Sequence, residues 1–261
     1  MLMPDSLRQE YMPMMVYYLC KAVDSTVCNE DDLKGKMTAF QDDKNSSDEF
    51  NKVFKFSENV FIKKDEKTGE ISSVFSSEEL KDYKSFSKSL LTKLELKRSN
   101  KFSQMLEWLI GSENRKLDKY TRAEDFVPAM GIDGIDHNTV HGFLFWCEML
   151  GIISFNGYRS GRVSYALDSI LYDYLEDHEE LKQEGYIPAK LFFDKMASEL
   201  FFIKICIHEN NVSYPLSQAI RILEQAKMIK IETMKDIGDV WHLSKSNILL
   251  KGNNFTNIKV C

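Results

Sequence analysis

One succession of elements occurs three times along the 261-residue chain and restricts the folds that it can adopt. In each repeat, stretches with apolar residues at helical spacing precede two short apolar runs that flank a polar turn, a pattern typical of a β-hairpin. The first such hairpin reads VFIKK, DEKTGE and ISSVF. The pattern predicts a mainly α fold with small β-hairpins, an α+β class, built from two to three tandem domains.

The middle repeat shows the pattern most clearly. Apolar residues at positions 102, 105, 106, 109 and 110 predict a helix over residues 101–110. Asp136 is the predicted N-cap of a third helix, in which Val140, Phe143 and Leu144 share one face. Gly151 then lets the chain leave this helix, and strands are predicted over residues 152–155 and 162–167.

The outer repeats follow the same plan. In the first, helices are predicted over residues 11–23, 30–40 and 48–56, the second of them capped by Asn29. In the last, a helix begins at Pro188, a second helical stretch covers residues 201–209, and a third helix begins at Ser213 and runs into a strand that returns as VWHLS. A basic amphipathic helix over residues 78–100 links domains predicted at residues 1–77, 101–180 and 181–261.

Composition excludes several classes of protein. The net charge is −6, so a uniformly basic nucleic-acid coat is not expected, although a local basic face is compatible with that total. Apolar runs are too short for a membrane span, and the start of the chain lacks the pattern of a signal peptide. Five scattered cysteines without a CxxC pair predict neither a zinc ribbon nor a disulfide framework. The expected location is the cytoplasm.

Three helices followed by a hairpin is the plan of the winged helix, and one junction resembles that superfamily closely. The stretch MLGIISF at residues 149–155 is similar to the family's passage from the third helix into the first wing strand. QAKMIKIE at residues 225–232 is a variant with Lys227 and Met228 where the family often has Gly and Leu, and SENVFIKK is compatible with it. The resemblance covers most of the chain.

The resemblance implies one of two kinds of function. Winged helices commonly bind DNA with the third helix in the major groove and the wing on the backbone. Tandem winged-helix proteins also serve as adaptor subunits, for example beside chromosome-organising ATPases of the SMC type. A shared fold does not choose between these uses.

Candidate nucleic-acid contacts are basic or polar side chains in three places. The first is the linker helix, because residues 80–101 hold seven basic and two acidic residues, and Lys81, Lys84 and Lys88 have the spacing of one helix face. The second is the third helix of the last repeat, whose outer side is predicted to carry side chains that contact bases in the major groove. The third is the middle wing. Solvated surface is the alternative interpretation in each case. The remaining candidates are Lys97, Arg98 and Lys101 in the linker, Ser217, Gln218 and Arg221 in the last helix, and Arg159 and Arg162 in the wing.

The third helix of the middle repeat indicates a contact with protein instead of DNA. Residues 137–150 contain no Lys or Arg, whereas a DNA-reading helix exposes such side chains to bases and phosphates. Phe145, Trp146 and Met149 lie on its predicted outer side. They are therefore predicted to pack against another domain or against a partner protein, and the partner is the preferred interpretation.

Catalytic motifs are absent from the sequence. His137 and His141 have a spacing that can chelate zinc, but HNTVH lacks the Glu of HExxH and has no evident third ligand. No metal, cofactor or catalytic residue is expected, and a metalloenzyme with zinc at His137 is the third alternative.

The preferred function is a non-catalytic adaptor subunit of a DNA-associated multiprotein complex. Family analogy suggests genome maintenance or phage defence, double-stranded DNA as a ligand, and a larger ATPase or nuclease as the protein partner. The alternative is a free-standing, sequence-specific transcription regulator. Homodimerisation is left open.

Overall fold

A computed structural model describes residues 1–24, 29–37, 44–112, 117, 123–156, 162–234, 239–245 and 252–261. The chain divides into two compact units. Unit 1 contains residues 1–102 and 126–150, and unit 2 contains residues 103–125 and 151–261. The described residues form helices and small, mostly antiparallel sheets, in agreement with the α+β class.

Unit 1 begins with three helices and a hairpin, in the order predicted for the first repeat. The Asn29 side chain accepts a hydrogen bond from the Asp32 backbone N–H at 3.0 Å, as expected of an N-cap. The two strands pair antiparallel, with Ile62 opposite Ser73. The elements are α1 (Pro13–Asp24), α2 (Glu30–Met37), α3 (Lys44–Ser57), β1 (Ile62–Lys64) and β2 (Ile71–Ser73).

The predicted linker helix is shorter than residues 78–100. Helix α4 covers Tyr83–Lys93. It begins where the Asp82 carboxylate accepts a hydrogen bond from the Ser85 N–H at 2.7 Å, and it ends before Leu94, whose backbone is extended and whose side chain is buried. Residues 94–100, all of them described, form neither helix nor strand. The seven basic residues therefore do not share one helix.

Three further helices follow, two of which cross the boundary between the units in sequence. Helix α5 (Lys101–Ile110) has the predicted bounds, and Phe102, Met105, Leu106, Leu109 and Ile110 are all buried as predicted. The other helices are α6 (Ala123–Met130) and α7 (His137–Met149). In α7 the Asp136 carboxylate accepts a hydrogen bond from the Thr139 N–H at 2.8 Å, which confirms the predicted N-cap.

The described residues of unit 2 form three small sheets. The predicted middle hairpin is present, with Ile153 paired to Tyr165. The elements of unit 2 after α7 are β3 (Ile153–Asn156), β4 (Arg162–Tyr165), α8 (Leu167–Asp177), α9 (Glu180–Gln183), β5 (Tyr186–Pro188), α10 (Ala189–Glu199), β6 (Ile207–His208), β7 (Asn211–Val212), α11 (Tyr214–Gln225), β8 (Ile229–Glu232), β9 (Trp241–Leu243), β10 (Asn254–Phe255) and β11 (Asn257–Val260). The strand orders in the sheets are β3-β4, β5-β11-β8 and β10-β9-β7-β6.

The hairpin predicted for the last repeat is wrong. Strand β8 pairs with β11 near the end of the sequence, with Ile231 opposite Ile258. The VWHLS stretch forms β9, which pairs parallel with β7 and antiparallel with β10. Residues 201–209 are also not a helix, because they form a 3-10 turn at Ile203–Cys206 and then β6. Short buried apolar runs carry little information on which of these structures they adopt.

The two helix-to-strand junctions that carry the family resemblance have the same backbone geometry. Helix α7 is followed by Gly151 at φ 73° and α11 by Lys227 at φ 61°, both left-handed. The Met228 N–H donates to the Leu223 carbonyl at 2.9 Å, which closes the end of α11. Lys227 therefore occupies the conformation that glycine supplies after α7.

In the described part of the chain, no helix combines the length and the apolar character needed to cross a lipid bilayer.

Candidate nucleic-acid interface

Helix α7 lies in the core of unit 1. Trp146 is completely buried, its Nε1–H donates to the Tyr11 carbonyl at 3.1 Å, and its ring stacks on Phe61 with centroids 5.4 Å apart. The prediction that Trp146 contacts a partner protein is wrong, because this side chain has no surface to offer. Phe145 and Met149, the other two predicted partner contacts, are half-buried.

The same helix holds the N-terminal segment in place. A Cβ atom at Gly142 would lie 2.5 Å from the Arg8 carbonyl oxygen and 2.8 Å from the Arg8 nitrogen, so only glycine lets the backbone of Arg8 approach so closely. One turn later, Trp146 bonds Tyr11. Two residues on α7 thus fix the backbone from residue 8 to residue 11.

A further anchor fixes the beginning of that segment. The Asn100 side-chain amide donates to the Met3 carbonyl at 2.7 Å and to the Asp5 carboxylate at 2.8 Å. Asp5 also accepts a hydrogen bond from the Lys101 backbone N–H at 2.8 Å. Leu7, between the two anchors, is 1% exposed.

A surface pocket lies between the N-terminal segment and helix α3. In α3, Phe50, Val53 and Phe54 are buried, as the apolar face of an amphipathic helix requires, and this rotation leaves Lys52 and Lys55 exposed one turn apart. The pocket between α3 and the N-terminal segment has a volume of about 630 Å³. It is lined by Ser6, Arg8, Glu10, Tyr11, Asn51, Lys52, Lys55 and Phe56.

The pocket is cationic. Its lining carries three basic side chains and one acidic side chain, a net charge of +2. Among the described residues, neither Lys52 nor Lys55 has a hydrogen bond or an ion pair from its ammonium group, and Arg8 is close enough to Asp136 to help lower the pKa of that carboxyl. Cationic side chains that line one concave surface attract an anion.

One side of the pocket is aromatic, and one of its oxygens lacks a partner. The Tyr11 and Phe56 rings are stacked with centroids 4.6 Å apart. The Glu10 Oε2 atom is buried and, among the described residues, has no hydrogen-bond donor within reach. This oxygen is closed to solvent, so a ligand in the pocket would have to donate to the accessible part of the half-buried Glu10 side chain.

The predicted lysines of the linker lie in three different settings. Lys84 and Lys88 are exposed on α4, one turn apart. Lys81 precedes the helix and pairs with Glu78 at 2.7 Å, and this hydrogen bond raises the pKa of Lys81. Lys101 donates to the Gly134 carbonyl at 2.6 Å. The structure keeps only two of the basic side chains on one helix face, while Lys97 and Arg98 are exposed beyond the end of α4.

Helix α11 does not present the predicted groove-reading set. Arg221 is 2% exposed and donates to the Ser244 carbonyl at 2.6 Å and the Asn253 side-chain oxygen at 3.0 Å. Ser217 is completely buried, and Gln218 is half-buried. Ile222, an apolar residue of the same helix, is 39% exposed. The interpretation of Ser217 and Arg221 as DNA contacts is wrong, because the helix is rotated about its axis from the predicted orientation.

Two other predicted sites give less information. Arg159 lies outside the described residues, and Arg162 begins β4 but its side chain is also outside the description. His137 is exposed and His141 half-buried, and no group of three or more candidate metal ligands occurs among the described residues.

Comparison of the chain with family models, with curated proteins and with solved structures finds no match. The winged-helix resemblance therefore remains a proposal based on the order of elements and on the two junction sequences.

Proposed function

We propose that this chain is a non-catalytic nucleic-acid-binding protein that acts as an adaptor in a DNA-associated complex. The observation that carries the proposal is the cationic pocket beside α3, which is the third helix before the first hairpin. In a winged helix the third helix is the one that meets DNA. Here that helix exposes Asn51, Lys52 and Lys55 on one side, and Arg8 adds a third cation.

Phosphate oxygens are the ligands that suit this surface. Lys and Arg side chains bind phosphates and release condensed counterions, and each such contact adds about 0.9 to the slope of log affinity against log salt. Three contacts at the pocket therefore predict a contribution of about 2.7 to that slope. Lys84 and Lys88 on α4 are proposed to extend the basic surface of unit 1.

The adaptor part of the proposal is supported by a second surface in unit 1. Met14 and Tyr18 lie one turn apart on α1 and are 40% and 55% exposed, and Met12 is 43% exposed. Large apolar side chains exposed together often mark contacts with other proteins. These exposed residues, and not the buried Trp146, are therefore the proposed contacts with a partner protein. The complex, whether of genome maintenance or of phage defence, is proposed by family analogy alone.

The test of DNA binding is the salt dependence of duplex affinity, measured by fluorescence anisotropy at several salt concentrations. In the variant Arg8→Gln/Lys52→Gln/Lys55→Gln, the slope is expected to fall in magnitude by about 2 to 3, because three phosphate contacts are lost. The matched control is Lys190→Gln/Lys204→Gln/Lys227→Gln, which removes the same charge from exposed positions in unit 2. It should leave the slope near that of the unaltered chain.

An equal loss in both triple variants would show that only total charge matters and would contradict the proposed site. A third variant, Lys81→Glu/Lys84→Glu/Lys88→Glu, tests whether α4 belongs to the interface and is expected to weaken binding. Unchanged gel shifts and unchanged retention on heparin would remove α4 from it.

The test of the adaptor role uses Met14→Ser/Tyr18→Ser. A protein recovered with the unaltered chain from native cells should be lost with this variant, while DNA affinity is retained. A symmetric homodimer that binds one DNA site with nanomolar affinity and recovers no other protein would instead favour a free-standing regulator.

A further inference from the structure

We propose that the pocket beside α3 takes one unpaired nucleotide, with its phosphate and the adjoining backbone phosphates against Arg8, Lys52 and Lys55 and the amino group of its base donating to the Glu10 carboxylate. This inference rests on the proposed function and specifies its ligand. A pocket admits a base that is single-stranded or out of the stack, in contrast to a helix that reads a groove.

The carboxylate is the feature that a site for phosphate alone does not explain. Among the described residues that line the pocket, Glu10 is the only acidic one, and it would repel a phosphate. Its side chain is half-buried, with Oε2 closed to solvent, so a ligand in the pocket would meet the accessible part of the carboxylate. A ligand that carries both an anion and a hydrogen-bond donor suits this arrangement. A nucleotide of cytosine has both, because carboxylates accept hydrogen bonds from the cytosine N4 amino group.

The aromatic wall and the size of the pocket agree with a nucleotide. Tyr11, stacked on Phe56, presents an aromatic side chain at the pocket, and aromatic side chains stack on unpaired bases regardless of sequence. The volume of about 630 Å³ lies within the range of about 300–1,000 Å³ that is usual for small-ligand pockets.

The backbone that carries Glu10 is fixed from both sides. Gly142 holds the backbone of Arg8, and Trp146 holds the carbonyl of Tyr11, so the residues before and after this stretch are anchored on α7. An anchored acceptor discriminates between bases better than one on a mobile loop.

The experiment measures the affinity of the full chain for labelled duplexes that have a blunt end or a three-nucleotide overhang of dC or dT. The dC overhang is expected to bind about fivefold or more tightly than dT, because thymine has no exocyclic amino group. In Glu10→Ala this preference should vanish while the salt-dependent affinity remains. The control Glu66→Ala removes an exposed acid from the β1–β2 turn and should keep the preference.

A second arm needs no altered protein. Replacing the overhang dC by a pyrimidin-2-one nucleotide, which lacks only the amino group, should cost the same fivefold factor. Equal affinity for dC, dT and pyrimidin-2-one overhangs, with normal duplex binding, would overturn this inference and leave the proposed function standing. No DNA binding even at low salt would instead overturn the proposed function.

The source of the nucleotide is distinguished by competition with free deoxycytidine monophosphate. Displacement of the dC overhang only at concentrations far above that of the oligonucleotide is expected, because a strand end adds further phosphate contacts. Equal potency of the free nucleotide would overturn the assignment to a nucleic-acid end.

Discussion

Replacing Gly142 by Ala tests directly whether α7 supports the N-terminal segment of the pocket. The added Cβ would lie 2.5, 2.6 and 2.8 Å from three backbone atoms of Arg8. Carbon contacts relax to about 3.5–4.0 Å, so the backbone at Arg8 must move away by roughly 1 Å. The obstacle is main chain, which cannot swing aside as a flexible side chain can.

The expected loss of stability is the balance of two effects. Alanine in a helix interior is favoured over glycine by about 0.8–1.0 kcal/mol. Overpacking of a core typically costs about 1–3 kcal/mol, and a main-chain obstacle places Gly142 at the upper end of that range. The free energy of unfolding should therefore fall by about 1–2 kcal/mol, and duplex affinity should fall as well because the Arg8 cation is displaced.

Urea denaturation followed by circular dichroism measures the first effect, and anisotropy with labelled duplex measures the second. Glu148→Ala is the matched control, since it places alanine at an exposed position of the same helix and should change stability by less than about 0.5 kcal/mol. If Gly142→Ala is as stable as the unaltered chain, the close contact with Arg8 does not exist and the reasoning is refuted.

Three other changes test the remaining contacts. Trp146→Phe should lower the free energy of unfolding by about 1–3 kcal/mol in urea titrations, because the Tyr11 carbonyl loses its donor; an unchanged value would place Trp146 outside the core. Arg221→Ala should lower stability by about 2–3 kcal/mol because the Ser244 and Asn253 oxygens lose a charged donor, yet leave DNA affinity intact; a specific loss of DNA affinity would restore its role in groove reading. Burial raises the pKa of Glu79, but hydrogen bonds from Lys93 and Ser89 outweigh it and lower the pKa to about 2. Because the pKa of Glu79 is lower in the folded state, the ionised carboxylate stabilises the fold above the unfolded pKa of 4.5, and this stability is lost as the pH falls towards 2. The free energy of unfolding, measured from pH 5 to pH 2, should therefore decline less steeply in Glu79→Gln than in the unaltered chain. Identical slopes would contradict the lowered pKa of Glu79.

Local features of the fold were predictable from the sequence. The N-caps at Asn29 and Asp136 were found because capping depends on a residue and its neighbours three positions away. The bounds of α5 followed from the apolar spacing, and the exit at Gly151 followed from the junction sequence, whereas the left-handed backbone at Lys227 was not predicted.

Features that depend on residues far apart in sequence were missed. Strand β8 pairs with β11, and no local signal distinguishes that partner from the nearer VWHLS stretch. Helix α7 is buried on more than one side because Tyr11 and Phe61 cover the side that holds Trp146. The sequence shows an apolar helix but does not show whether its covering comes from the same chain or from a partner.

Only part of the candidate site could be predicted, because it brings together residues that are far apart in the sequence. Lys52 and Lys55 lie opposite the apolar face of α3, so their exposure was open to prediction. Arg8 and Glu10 lie in a segment without periodicity. In α11, the four-residue spacing of Ser213, Ser217 and Arg221, all of them buried, is a polar stripe that would have indicated the true rotation of the helix.

Photo-cross-linking tests most directly whether nucleic acid binds at α3 and the N-terminal segment. A DNA substituted with 5-iododeoxyuridine is irradiated with the full chain, and cross-linked peptides are identified by mass spectrometry. Cross-links within residues 6–11 and 51–56 are predicted, with Tyr11 the foremost acceptor because its ring lines the pocket. Cross-links confined to residues 214–225, or to any surface of unit 2, would contradict the account.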